Sequence, residues 1–275
     1  MYNIILDDFI NEKSKLQIEQ TVSLSYDLLK KSPDKALSIM RELVTKFEKG
    51  IQLQNTSQIK YCTFENDVEY YLTIEEINNK DNNFLEIIKL PHNYSRMYYL
   101  LGYLYQDFGF SELAENSLLT SLKWNPCYFN AHGELAEVYK ILGNKNFHLK
   151  QAYNELKFAK NCKELARAFR DLGFNYIDNN KYEIAAAIYL HSLHFDTNPI
   201  VRKELEYIQS LVGKDFRFPR RNEILDILVS NNIQFQASEI IITTYNKLIN
   251  KSIQNNDIRQ AQEYKLILSN MLLKN

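Results

Sequence analysis

Helix breakers are scarce in this chain: seven glycines and five prolines are spread over 275 residues. The prolines stand far apart, at positions 33, 91, 126, 199 and 219. The stretches between them can run as helix, interrupted by short polar turns. Nowhere does apolar and polar alternation persist long enough to announce a sheet. Cysteine is nearly absent too. Cys62, Cys127 and Cys162 form no CxxC pair, which argues against a disulfide framework or a zinc site and predicts reduced, buried thiols. No apolar run approaches the roughly 18 residues that a bilayer span requires. Asp7 and Asp8 stand where a secretion signal would be apolar. A cytoplasmic, non-membrane protein is therefore expected. Charge excess is missing as well: 33 basic and 34 acidic residues leave a net charge of -1. That balance offers no global attraction to nucleic acid or anionic lipid.

Catalytic signatures are also lacking. The chain has no phosphate-binding GxxxxGK[ST], no GxGxxG, no GxSxG and no HExxH. His191 and His194 could share a helix face, but the further ligands that a metal needs are missing. Glu75 with Glu76, and Glu112 with Glu115, lie in helical patterns and read as solvated surface pairs. No enzyme activity, cofactor or metal is expected.

What the chain does have is an apolar content of 45%, an aromatic content of 13% and an internal repeat. Tyr98-x2-Leu101-Gly102-x2-Tyr105 is followed by Ala114-x3-Leu118 and closed by Pro126. Phe169-x2-Leu172-Gly173-x2-Tyr176 is followed by Ala185-x3-Tyr189, with Pro199 near its end. In both, the alanine lies twelve residues after the glycine. Between them, His132-x2-Leu135-Ala136-x2-Tyr139 keeps the register, with Ala136 34 residues after Gly102. Gly173 follows Ala136 by 37, so the middle copy carries about three extra residues. The small residues suit a close helix crossing, and the aromatics fill the space beside it. Gly109 and Gly143 mark turns, and His132 takes a packing role in place of the large aromatic.

This pattern resembles the tetratricopeptide (TPR) family, whose unit of about 34 residues is a pair of antiparallel helices. The resemblance is strongest over residues 95–199. It implies an all-α fold, a right-handed superhelical solenoid of antiparallel helix pairs with degenerate repeats at both ends. Three regions are expected: 1–94, a helical region of degenerate repeats or a cap; 95–199, a core of three helix pairs; and 200–275, helical, with a drifted repeat at about 237–273. Pro33 opens a helix. Residues 57–90 are expected to form a helical pair around the loop from Asn78 to Asn83. The stretch from Lys214 to Arg221 breaks the pattern and reads as a connector whose phenylalanines tuck into the core, with a docking loop as the alternative.

The resemblance also implies a concave groove lined by the first helix of each pair, holding a protein or peptide. The candidates are Arg96, Tyr99, Tyr103 and Gln106 in one unit, Asn130, Glu137 and Lys140 in the next, and Arg167, Arg170 and Phe174 in the third. Tyrosine and arginine dominate binding hot spots. Tyr99 and Tyr103 stand where a carboxylate clamp of this family carries Lys and Asn, so a chaperone-tail clamp is not expected. Such an aromatic and basic groove suits a peptide with acidic and apolar anchors. The reading is a non-enzymatic scaffold. The alternatives are a regulatory sensor of a small peptide and, with less support, a nucleic-acid-associated adaptor. Self-association through aromatic stripes stays open.

Overall fold

Asparagine, aspartate and serine caps set many of the helix boundaries in the computed structural model, which describes residues 12–50, 55–56, 58–80 and 86–273. Among these are thirteen helices and two short strands. The chain separates into two compact units, Met1–Leu142 and Gly143–Asn275. No helix among the described residues is long and apolar enough to cross a membrane.

The first unit runs α1 (Glu12–Leu28), α2 (Pro33–Gly50), β1 (Ile59–Cys62), α3 (Asp67–Lys80), β2 (Glu86–Lys89), α4 (Tyr94–Asp107), α5 (Ser111–Trp124) and α6 (Phe129–Ile141). Pro33 occupies the first helical position of α2, where its missing N–H costs nothing. Asn93 caps α4 by accepting the Arg96 N–H at 3.0 Å. Gly109, at φ +76°, turns the chain from α4 into α5, a conformation that L side chains rarely adopt. Helix α1 packs on α2, α2 on α4, α4 on α5 and α5 on α6. One core joins Val22, Met40, Phe47, Tyr94, Met97 and Leu104, and a second forms around Leu118, Tyr128 and Leu135.

Residues 57–90 depart from the expected helical pair. Strands β1 and β2 form a parallel two-stranded sheet, with Ile59 opposite Glu86 and Cys62 opposite Lys89, and α3 is the single helix between them. Parallel strands need a crossover, which α3 supplies. Four-residue strands are too short to display an alternating pattern. Asn78 to Lys80 end α3 rather than turning it, and Asp81 to Asn83 lie outside the described residues. Tyr61 and Ile88 pack onto the first core. The Thr63 N–H donates to the Trp124 carbonyl at 3.0 Å, and the Thr63 hydroxyl accepts the Ser95 N–H at 3.1 Å. These bonds stitch the insert to α4 and α5.

A second correction concerns α3. Glu75 and Glu76 are buried, at 8% and 2% exposure, rather than solvated. Burial by the rest of the chain is not readable from the periodicity of one helix. Glu69, fully buried, accepts the Glu65 N–H at 2.9 Å and the Asn125 side-chain amide at 2.8 Å.

The second unit runs α7 (Lys145–Phe158), α8 (Cys162–Asp178), α9 (Tyr182–Ser192), α10 (Ile200–Val212), α11 (Arg221–Ser230), α12 (Glu239–Gln254) and α13 (Ile258–Met271). Asn144, Asn161, Ser238 and Asp257 cap α7, α8, α12 and α13 with their side chains. Helices α12 and α13 form a hairpin that packs back onto α7 and α8. The hairpin and the segment leading into it satisfy carbonyls left open at the end of α7 and just beyond it. Gln234 donates to the Leu156 carbonyl at 3.1 Å, Ser238 to Lys157 at 2.6 Å, and Tyr245 to Lys160 at 2.6 Å. In the connector before α11, Phe216 and Phe218 meet edge to face at 5.2 Å and pack on the core around Val201 and Ile208. Arg217 pairs with Glu223, whose carboxylate also accepts the Arg220 N–H at 2.7 Å.

Candidate partner-binding face

Positions 96, 99, 103 and 106 recur every three or four residues along α4 and so share one face. The inward faces carry Tyr94, Ser95, Met97, Tyr98, Leu100, Leu101, Gly102 and Leu104, all buried. Gly102 fixes which way α4 is rotated. A Cβ there would stand 2.7 Å from Leu118 Cγ and 3.2 Å from the Ala114 carbonyl, so α5 closes on this side only over a glycine. On α6, Asn130, Glu134, Glu137 and Lys140 are the positions from 129 to 140 that are not buried. Helix α6 packs beside α4, and the two stripes border one face of the first unit. Their closeness shows in Tyr103: burial raises its hydroxyl pKa, and the charges of Asp107 and Glu134 raise it further.

Arg96 is the hub of this face. Its guanidinium lies 4.9 Å over the Tyr26 ring from α1. Its Nε is 3.8 Å from Glu65, which precedes α3. Glu65 also accepts the Tyr128 hydroxyl at 3.1 Å, and the Tyr128 ring meets Tyr99 edge to face at 5.5 Å. Burial, with Glu65 next, holds the Tyr128 hydroxyl well above the ordinary range. A cleft of about 560 Å³ opens beside Arg96, lined by Ile18, Val22, Phe64, Glu65 and Pro91. Lys140 lies 3.4 Å from Glu137, both partly exposed. Gln106 is half-buried, and its side-chain oxygen has no hydrogen-bond partner among the described residues.

The second unit repeats the seat found at Gly102. A Cβ on Gly173 would stand 2.9 Å from the Tyr189 ring, and Ala114 and Ala185 are each fully buried. The helix hairpins are tetratricopeptide-like. Solved structures similar to the chain include a thermophilic TPR protein of Thermus thermophilus, at 15% identity and TM-score 0.48, covering 93% of this chain and all of that one. The MamA RS-1 ArsTM double mutant matches at 13% identity and TM-score 0.47, covering 86% and 97% of the two chains. A MamA protein matches at 14% identity and TM-score 0.34, covering 74% and 100%. No family model and no curated protein matches the chain.

The remaining candidates belong to the second unit. Arg167 lies 3.9 Å from the buried Glu155 and 3.5 Å from Asp171. Arg170 is 14% exposed and pairs with Asp196 at 3.5 Å. Phe174 lies 6.4 Å from the His148 ring. His132, in the first unit, is buried, 2.9 Å from the Pro126 carbonyl. His191 is buried against Phe169 and Phe195, with Nε2 2.6 Å from the Phe235 carbonyl. No group of three His, Cys, Asp or Glu among the described residues could hold a metal ion. Cys62 and Cys127 are buried, and burial pushes the Cys62 thiol to about 11. Cys162 departs from the expected burial: it is partly exposed, and its thiol donates to the Asn270 carbonyl at 3.3 Å. Tyr26, Glu65, Tyr128 and Glu134 join the face although the repeat pattern did not single them out. Glu134 was legible, four residues after Asn130 and three before Glu137. Tyr26 and Glu65 come from elements outside the repeat helices, and Tyr128 directly precedes α6.

Proposed function

We propose that this chain is a non-enzymatic scaffold that binds a protein or peptide on the face bordered by α4 and α6. One observation carries the reading. The residues that repeat packing leaves uncovered on these helices form two adjacent stripes of Tyr, Arg, Glu, Asn and Lys. Ordered tyrosines beside an arginine are the groups that anchor partners, because they present rigid amphipathic area at low entropic cost. Three cysteines outside any disulfide suit a reducing cytoplasm.

The test is affinity capture from a lysate of the source cells with the wild type and a Tyr99→Ala, Tyr103→Ala variant that keeps its helical content. The expected result is a protein retained by the wild type and lost by the variant. The same proteins retained by both would remove this face from consideration.

A further inference from the structure

The parallel sheet of β1 and β2 has two edges, and the chain closes them unequally. The Glu86 N–H donates to the Gln58 carbonyl and the Leu90 N–H to the Cys62 carbonyl, both at 2.8 Å. With Ile59 opposite Glu86, these bonds turn the main-chain groups of the even-numbered residues of each strand toward the other strand. The groups of the odd-numbered residues point outward. On β1 the outward groups are engaged. The Ile59 N–H donates to the Thr56 hydroxyl at 2.9 Å, and the Ile59 carbonyl accepts the Thr56 N–H at 2.9 Å. The Tyr61 N–H donates to the Asn55 side chain at 3.0 Å, and the Thr63 N–H to the Trp124 carbonyl.

On β2 they are open. The main-chain N–H and carbonyl groups of Ile87 and Lys89 point away from β1 and have no hydrogen-bond partner among the described residues. None of the residues from Glu86 to Lys89 is buried. Such a row of alternating donors and acceptors is complementary to one kind of structure, another extended strand. Proteins guard an edge of this kind with proline, bulges, lysine or short length. Strand β2 is short but has no proline, and its lysine is drawn to Asp67 at 3.7 Å.

We propose that β2 pairs antiparallel with β2 of a second copy of this chain, joining the sheets of the two first units into one continuous sheet. Residues directly opposite in an antiparallel pair must both turn their main-chain groups inward or both outward, which leaves few two-fold registers. With Ile88 on the axis, Ile87 of each copy stands opposite Lys89 of the other and exchanges both bonds with it. Every outward group of both strands is then satisfied. With Lys89 on the axis, two lysines stand face to face and repel. With Ile87 on the axis, Lys89 finds no partner within the other β2. A second copy also fits better than a flexible segment, because its β2 is already held extended by β1 and pairing requires little new backbone ordering. The contact is isologous, as a two-fold dimer requires. It uses no residue of the α4–α6 face and is independent of the docking reading.

The test is analytical ultracentrifugation of the full chain over a range of concentrations. The wild type is expected to move from the monomer mass toward twice that mass as concentration rises. Ile87→Pro removes an outward donor that takes no part in the β1–β2 ladder. It is expected to keep its helical content and to weaken the dimer at least tenfold. Ile88→Cys in a Cys162→Ser background places a thiol on the axis, at the Cα separation of about 4.5 Å of a non-hydrogen-bonded pair, which a disulfide can span. The remaining cysteines, Cys62 and Cys127, are buried. Oxidation is expected to give a covalent dimer of this variant and none with Cys at the exposed position 210 in the same background. A wild type that stays monomeric throughout overturns the proposal. A dimer that Ile87→Pro leaves at full strength also overturns it, and loss of that dimer in Tyr99→Ala, Tyr103→Ala would move self-association to the α4–α6 face. Should Ile87→Pro fail to fold, the disulfide decides: no covalent dimer on oxidation of the Ile88→Cys variant overturns the proposal.

Discussion

Gly102 shows how one side chain, by being absent, sets both fold and face. Alanine is the better helix former by about 1 kcal/mol. At this position, however, its Cβ would meet Leu118, which is fully buried and cannot swing away. Overpacking of this kind costs roughly 1–3 kcal/mol, and it outweighs the propensity gain. Gly102→Ala is therefore expected to lower the melting temperature by a few degrees, read by circular dichroism. A melting temperature equal to or above that of the wild type would show that α4 and α5 separate without cost. His191 supplies a second prediction at this scale. Burial lowers its pKa below 6.5; the Phe235 carbonyl opposes the shift and His194 adds to it. The unfolded chain then binds the proton more readily than the folded one. Stability from this group is full above about 6.5, the unfolded value, and declines as pH falls toward the folded value. Urea midpoints at pH 7.5 and 5.5 should differ more in the wild type than in His191→Gln.

At the scale of elements, legibility followed the length of each signal. Helices α4, α5, α8 and α9 were readable because Gly102, Ala114, Gly173 and Ala185 mark close crossings at a fixed spacing, and Tyr99 and Tyr103 were readable as the stripe that those crossings leave outside. Strands β1 and β2 were not, because four residues such as Ile59 to Cys62 carry no period. Arg96 was legible as part of that stripe, but its neighbours were not: Tyr26 and Glu65 reach it from α1 and the insert, where no repeat register points. The hairpin of α12 and α13 was legible from Tyr245, Leu248 and Ala261, but its packing onto α7 and α8 was not, since it depends on bonds between distant residues. Tyr245→Phe removes the 2.6 Å bond to the Lys160 carbonyl. Its expected cost is about 1 kcal/mol, and amide hydrogens of α12 and α13 should exchange faster while those of α8 change little. Unchanged exchange in the hairpin would mean that apolar packing alone holds it.

At the scale of the whole molecule, the chain has two units, each with its own core. The residues proposed for docking divide between them: Arg96 to Lys140 in the first, Arg167 to Phe174 in the second. In the second unit Arg170 is engaged with Asp196 and Arg167 with Asp171 and Glu155. The docking proposal is placed on the first unit for its half-buried Tyr99 and Tyr103. A photo-crosslinking residue placed at position 103, and separately at the exposed Ser210 on α10, tests this assignment in living cells. Discrete adducts are predicted from position 103 and absent from position 210. The same adducts from both positions, or none from 103, would contradict it.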